Sequence, residues 1–267
     1  MKREPTVAGY FYSENKEILK SDLRELIKER KEKLKVKGIV VPHAGYMYSG
    51  WVAGQTYGVI YPPEVALIIG PNHTGLGREA SLFTGEAFIT PLGEARVCQT
   101  LASKLLEEVP FLEEDPLAHL HEHSLEVQVP FLQYLNPKIE IVPLCLGRLS
   151  LEEIVTLGKG IAKGIKEENR YIVIVASSDF SHYVPQEVAK RKDFLAIEQI
   201  LNFSEGGLLH VVQKEKISMC GVIPVAVTIY ACKELGAKKA ELIVYGTSGD
   251  VLKDYSSVVG YGGIIFY

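Results

Sequence analysis

Short, unbroken apolar runs alternate with longer mixed stretches along the chain. The runs are 38–42 (GIVVP), 65–70 (VALIIG), 139–146 (IEIVPLCL), 171–176 (YIVIVA), 241–245 (ELIVY) and 258–266 (VVGYGGIIF). Their Val, Ile and Leu residues are continuous rather than alternating. That pattern suits strands covered on both faces, as in a parallel sheet. Apolar residues at helical spacing predict helices over 15–34, 94–108, 124–135, 150–168, 185–201 and 224–235. Strand and helix alternate without a Ser-, Gln- or Pro-rich linker or an internal repeat. The pattern therefore predicts a three-layer α/β fold in one domain over residues 1–267.

Composition narrows the function classes. Of 267 residues, 47% are hydrophobic and 23% charged, which excludes disorder as a description of the whole chain. The net charge of −4 argues against a nucleic-acid partner. Six Lys or Arg residues crowd 28–37, but glutamates interleave with them, so a solvated helix face is the expectation. No apolar run approaches the roughly 18 residues of a membrane span. The polar N-terminal segment lacks a signal-peptide core, so the cytoplasm is the expected location. The four cysteines (Cys98, Cys145, Cys220 and Cys232) form no C-x-x-C pair, which argues against a disulfide scaffold or a zinc ribbon.

The histidines carry the chemistry. His43 directly follows GIVVP, His73 follows VALIIG through Pro71-Asn72, and Asp179 and His182 follow YIVIVA through Ser177-Ser178. Ligand crevices in open α/β sheets lie outside the carboxyl ends of strands. If these strands are parallel neighbours, the three histidines converge. Asp179 and His182, three residues apart, would share a face of a helical first turn. Cys220 precedes an apolar helical pattern, where a helix N-terminus favours the thiolate. Neutral imidazole with thiolate suits a borderline or soft transition metal. Glu122 and His123 open the helix expected over 124–135 and could project into a crevice. His121 and His123 lack the i,i+4 spacing of a zincin motif. Surface or loop roles are expected for His119, His121 and His210, and plain packing with a wet hydroxyl for Tyr46 and Tyr48.

The segments 3–12 (REPTVAGYFY), 42–46 (PHAGY), 70–73 (GPNH), 122–126 (EHSLE), 177–182 (SSDFSH) and Cys220-Gly221 occur in one order nearly end to end. In that combination the chain resembles the MEMO family, also called the AmmeMemoRadiSam system protein B family. The resemblance implies an α/β/α sandwich around a mostly parallel, mixed sheet, similar to class III extradiol dioxygenases. It places metal ligands at His43, His73 and Cys220, and further pocket residues at His123, Asp179 and His182. In the dioxygenases two histidines and a carboxylate hold non-haem iron. The thiol of Cys220 in place of the carboxylate argues against ring cleavage.

Two function classes follow. The first is a metal-dependent redox enzyme holding one transition-metal ion, with iron or copper favoured over zinc. In it His182 moves a proton, Asp179 positions or charges it, and His123 holds a polar substrate atom. The second is a non-catalytic scaffold that uses the same pocket for a peptide or protein partner. Metal-assisted hydrolysis is a third chemistry that an open coordination position permits.

Overall fold

The continuous apolar runs fold as strands buried along their whole length. In the computed structural model, which describes residues 1–267, they are joined by shorter strands in one twelve-stranded sheet. The strands are β1 (Lys2–Arg3), β2 (Gly38–Val41), β3 (Val65–Pro71), β4 (Ala80–Leu82), β5 (Ala87–Thr90), β6 (Gly93–Val97), β7 (Glu113–Glu114), β8 (Glu140–Leu146), β9 (Ile172–Ser177), β10 (His182–Val184), β11 (Ala240–Thr247) and β12 (Val258–Phe266). The helices are α1 (Lys16–Leu26), α2 (Tyr46–Val59), α3 (Gln99–Glu108), α4 (His123–Glu126), α5 (Val129–Leu135), α6 (Leu151–Lys166), α7 (Gln186–Leu201), α8 (Glu205–Lys214), α9 (Val222–Glu234) and α10 (Ser248–Leu252).

The main path of the sheet runs β1-β5-β6-β8-β3-β9-β2-β12-β10. Its centre is parallel. Leu67 of β3 faces Ile174 of β9, and Ala176 of β9 faces Val40 of β2. The antiparallel β12 follows, pairing with β2, β10 and β11. The sheet is therefore mixed but mostly parallel, as expected. Helix α9 lies on β2, β3 and β9 and packs against α6 and α8. Helix α2 lies on β2, β11 and β12 with α1 and α5 beside it. The resulting core is one continuous cluster of 67 buried residues. No helix is long and apolar enough to cross a membrane.

Several predicted helices are shorter than their patterns. The helix expected over 15–34 ends at Leu26. Beyond it the chain lies against the end of α2, where the Arg30 and Leu34 amides donate to the Gly58 and Val59 carbonyls. The 28–37 basic stretch is thus irregular rather than helical, and Glu29 and Lys33 still pair at 3.0 Å. Residues 93–97 form β6, because Ala95 and Val97 alternate inward with exposed neighbours. The helix expected over 124–135 is broken into α4 and α5, with Pro130 in the first turn of the second.

Helix α2 has no amphipathic period because it is buried around most of its circumference. A Cβ on Gly54 would overlap the Leu26 carbonyl, so only glycine lets the end of α1 come this close. His119 is buried in a single 3-10 turn, Leu117–His119, rather than lying at the surface. Its Nε2 donates to the Ser81 carbonyl at 3.1 Å, while Nδ1 has no partner. His121 and His210 are exposed, as expected.

Candidate metal site

Three adjacent parallel strands deliver the site. β2 leads directly into Pro42-His43, β3 into Asn72-His73 and β9 into Ser178-Asp179. Helix α4 adds His123 at its first position. One donor atom from each of His43, His73 and His123 lies within 4.8 Å of the others. Two metal–nitrogen bonds of about 2.1 Å span at most ~4.2 Å, so modest inward movement closes the group on one ion. The His73 and His123 rings stack at 4.8 Å, and His43 meets both edge-on.

Partners around the rings fix which nitrogen is available. Ser177 Oγ donates to the Ser124 carbonyl at 2.7 Å and accepts from Gln128 Nε2 at 2.9 Å. With its proton committed, Ser177 must accept from His43 Nδ1, 3.0 Å away. The His43 Nε2 lone pair then faces the Cys220 thiol, 3.3 Å away. His73 Nδ1 donates to Glu122 Oε1 at 2.9 Å, which leaves Nε2 bare. Glu122 also accepts from the His73 and Ser124 amides. This carboxylate–imidazole pair is the usual outer support of a metal-binding histidine.

The charge states follow. Burial pushes His43 well below the ordinary imidazole range, and the neighbouring imidazoles add to this. Burial also lowers His123, against the pull of Glu122. For His73, burial opposes the charge, but the bond to Glu122 and its charge outweigh it and raise the value. Glu122 resists its own burial through the same bonds and is held down at about 2. Three imidazoles in mutual reach, with one ionised carboxylate behind His73, form a donor set suited to a transition-metal ion.

Cys220 lies beside this group rather than within it. Its Sγ is 3.3 Å from His43 Nε2 and accepts the Asp179 amide at 3.3 Å. Gly221 brings the start of α9 against β9, since a Cβ there would crowd the Ser177 carbonyl and the Ser178 side chain. A position just before α9 favours a thiolate. Instead burial pushes the thiol up, with Asp179 adding to it, and outweighs the backbone donors. In mutual reach of His43 and His73 stands His123, which the sequence reading placed in a substrate-holding role.

Asp179 Oδ1 accepts the His43 amide at 2.8 Å, and Oδ2 stands 4.0 Å from His43 Nε2. Burial raises its carboxyl, against the His43 amide bond. His182 lies in β10, not on the helical turn the spacing suggested, because β10 pairs with β12. Its Nδ1 donates to the Ser218 carbonyl at 2.8 Å, leaving Nε2 bare. His182 is half-exposed and lines a cleft of about 510 Å³ together with His43, His73, His123 and Asp179. Phe11, Tyr48 and Tyr261 form aromatic walls, and Tyr10 and Tyr183 reach the rim. Tyr46 is buried instead, its hydroxyl donating to the Val127 carbonyl at 2.7 Å.

The supporting residues had no assigned role in the sequence, although Glu122 was expected at the crevice. Ser177, Gln128 and Ser124 orient His43, and Glu122 orients His73. A carboxylate directly before a helix-opening histidine was the available signal for Glu122. Nothing local marked Gln128, which is distant in sequence from Tyr57, Pro42 and Ser177, its three partners.

Comparison with known proteins agrees with this end-to-end picture. An uncharacterized protein of Escherichia coli K12 shares the fold, with a TM-score of 0.53 over 85% of this chain and 99% of its own, at 16% identity. A MEMO1 family protein of Aquifex aeolicus is 44% identical over 99% of this chain and 98% of its own. Another, from Methanopyrus kandleri, is 40% identical over 100% of this chain and 99% of its own. The family model described as Memo-like protein matches residues 3–265, so the chain belongs to that family.

Proposed function

We propose that the protein is a metal-dependent oxidoreductase that works on a small molecule in the histidine cleft. The observation carrying this reading is the trio of imidazoles that brings one ring nitrogen each of His43, His73 and His123 within 4.8 Å of the others. A bound iron or copper ion would supply one-electron redox chemistry and Lewis acidity there. The chain's own residues do the rest. His182 Nε2 is an acceptor on the cleft wall, placed to take a proton from a substrate hydroxyl. Asp179 holds the His43 backbone in place. The aromatic walls exclude water and receive a flat apolar part of the ligand. Cys220 stands where it can become a further ligand once its proton leaves. Four free thiols suit a reducing cytoplasm.

The test combines metal analysis and metal-dependent O₂ uptake on one untagged preparation. His43→Ala and His73→Ala should lose the metal. His182→Ala should keep metal and fold but lose uptake. Comparing His123→Ala with Cys220→Ser tells which residue completes the ligand set. A wild-type protein that takes up iron or copper yet never consumes O₂, whatever small molecule is added, argues against the redox reading. A peptide-binding scaffold is the second reading, favoured by the exposure of Tyr10 (88%) and Tyr183 (79%) at the rim. It expects His182→Ala to change no rate and only to weaken a partner.

A further inference from the structure

Arg3 lies in a different part of the chain from every candidate ligand, yet it is only 2% exposed. Strand β1 pairs in parallel with β5, which places Arg3 opposite Phe88. The guanidinium then sits 4.9 Å from the centre of the Phe88 ring. From there it donates Nε to the His119 carbonyl at 3.0 Å and Nη2 to the Glu122 carbonyl at 2.8 Å. Nη1 pairs with the buried Glu126 carboxylate. Those three acceptors bracket the turn that carries Glu122 and His123.

Glu126 is the second half of the device. It also accepts the Thr6 amide and hydroxyl, each at 2.9 Å, the Val7 amide at 3.1 Å and the Tyr12 hydroxyl at 2.6 Å. These bonds strap the 3–12 segment across α4. Phe11, within the strap, packs edge-on to His123 at 5.0 Å. The strap therefore reaches both supports of the imidazole group. It holds the backbone of Glu122, whose carboxylate sets the His73 tautomer, and it backs the His123 ring.

We propose that Arg3 and Glu126 are positioning residues for the imidazole group, acting through the Glu122–His123 turn. This rests on the metal-site reading for its functional meaning, but not for its geometry. A planar fork that reaches two carbonyls and one carboxylate at once cannot be replaced by the single ammonium of lysine. Arg3→Lys keeps the charge and loses that simultaneous reach.

The experiment titrates cobalt(II) into apoprotein by its d–d absorption and reads the His73 ring nitrogens by ¹⁵N NMR, well above the His73 pKa. Wild type should show a protonated Nδ1 and a bare Nε2 on His73. Arg3→Lys should shift that ring toward a mixture of tautomers and weaken cobalt binding ten- to a hundredfold, the range of lost outer-shell support. Leu101→Ala, buried in α3 away from the site, is the control for lost stability; it should leave both readouts unchanged. If Arg3→Lys does not fold, Tyr12→Phe removes one donor to Glu126 and should produce a smaller change in the same directions. Wild-type tautomer and cobalt affinity in the folded variants overturn the proposal, as does an equal effect in Leu101→Ala. If wild type binds no cobalt, the metal reading fails, and the ring nitrogens alone decide the positioning role.

Discussion

At the scale of single residues, the site is governed by what stands behind each imidazole. Glu122→Gln keeps the shape of the side chain but offers His73 a weaker, neutral acceptor. Its cobalt or zinc affinity should fall by about ten- to a hundredfold while the melting temperature changes little, since outer-shell partners act mainly on ligand orientation and basicity. Equal affinity in a competition titration would remove Glu122 from the site. His119 illustrates a different consequence of burial. Burial holds its pKa down at about 4, from 6.5, against the bond to Ser81. The unfolded chain therefore binds the extra proton first as pH falls. Stability tied to His119 is complete above pH 6.5 and drains away as pH falls toward 4. The full shift is worth roughly 3 kcal/mol. Urea unfolding across that window should show a flatter pH dependence for His119→Gln than for wild type. Parallel curves would contradict it.

At the scale of elements, close approach decides what amphipathicity cannot. Gly54→Ala should lower stability by about 1–3 kcal/mol, the usual range for overpacking, read as a lower urea midpoint at an unchanged slope. A neutral outcome would mean that α1 and α2 can separate at no cost. The same contact explains why the helix expected over 15–34 stops early: past Leu26 the backbone caps α2 instead of its own helix. The strands were legible because burial on both faces writes itself as an unbroken apolar run, and β2, β3 and β9 follow those runs closely. Helix α2 is absent from the predicted helices, because a helix surrounded by protein has no polar face to mark its period. The ends of β2, β3 and β9 were readable as a site, since loops carrying His43, His73 and Asp179 follow equivalent strands. The surroundings of Cys220 were not: its position before α9 favours a thiolate, whereas tertiary burial and Asp179 push the thiol up. Nor could the spacing of Asp179 and His182 reveal that pairing with Val258–Val259 would draw His182 into a strand.

At the scale of the whole molecule, the candidate donors come from far-apart stretches, with His43, His73 and His123 thirty and fifty residues apart along the chain. A metal held by all three would bind the folded state and not the unfolded one. At a free concentration a hundred times its dissociation constant it adds about 2.7 kcal/mol, so the melting temperature should climb with metal concentration in wild type and stay flat in His43→Ala. Such an ion is also a removable cross-link. It ties the ends of β2 and β3 to α4 and closes two long loops of chain, much as a disulfide would, but with a fastening that a chelator can open. Native protein stripped of metal should therefore keep its fold and yet be cut faster by a protease in the exposed 75–79 segment just after His73, which the ion no longer tethers.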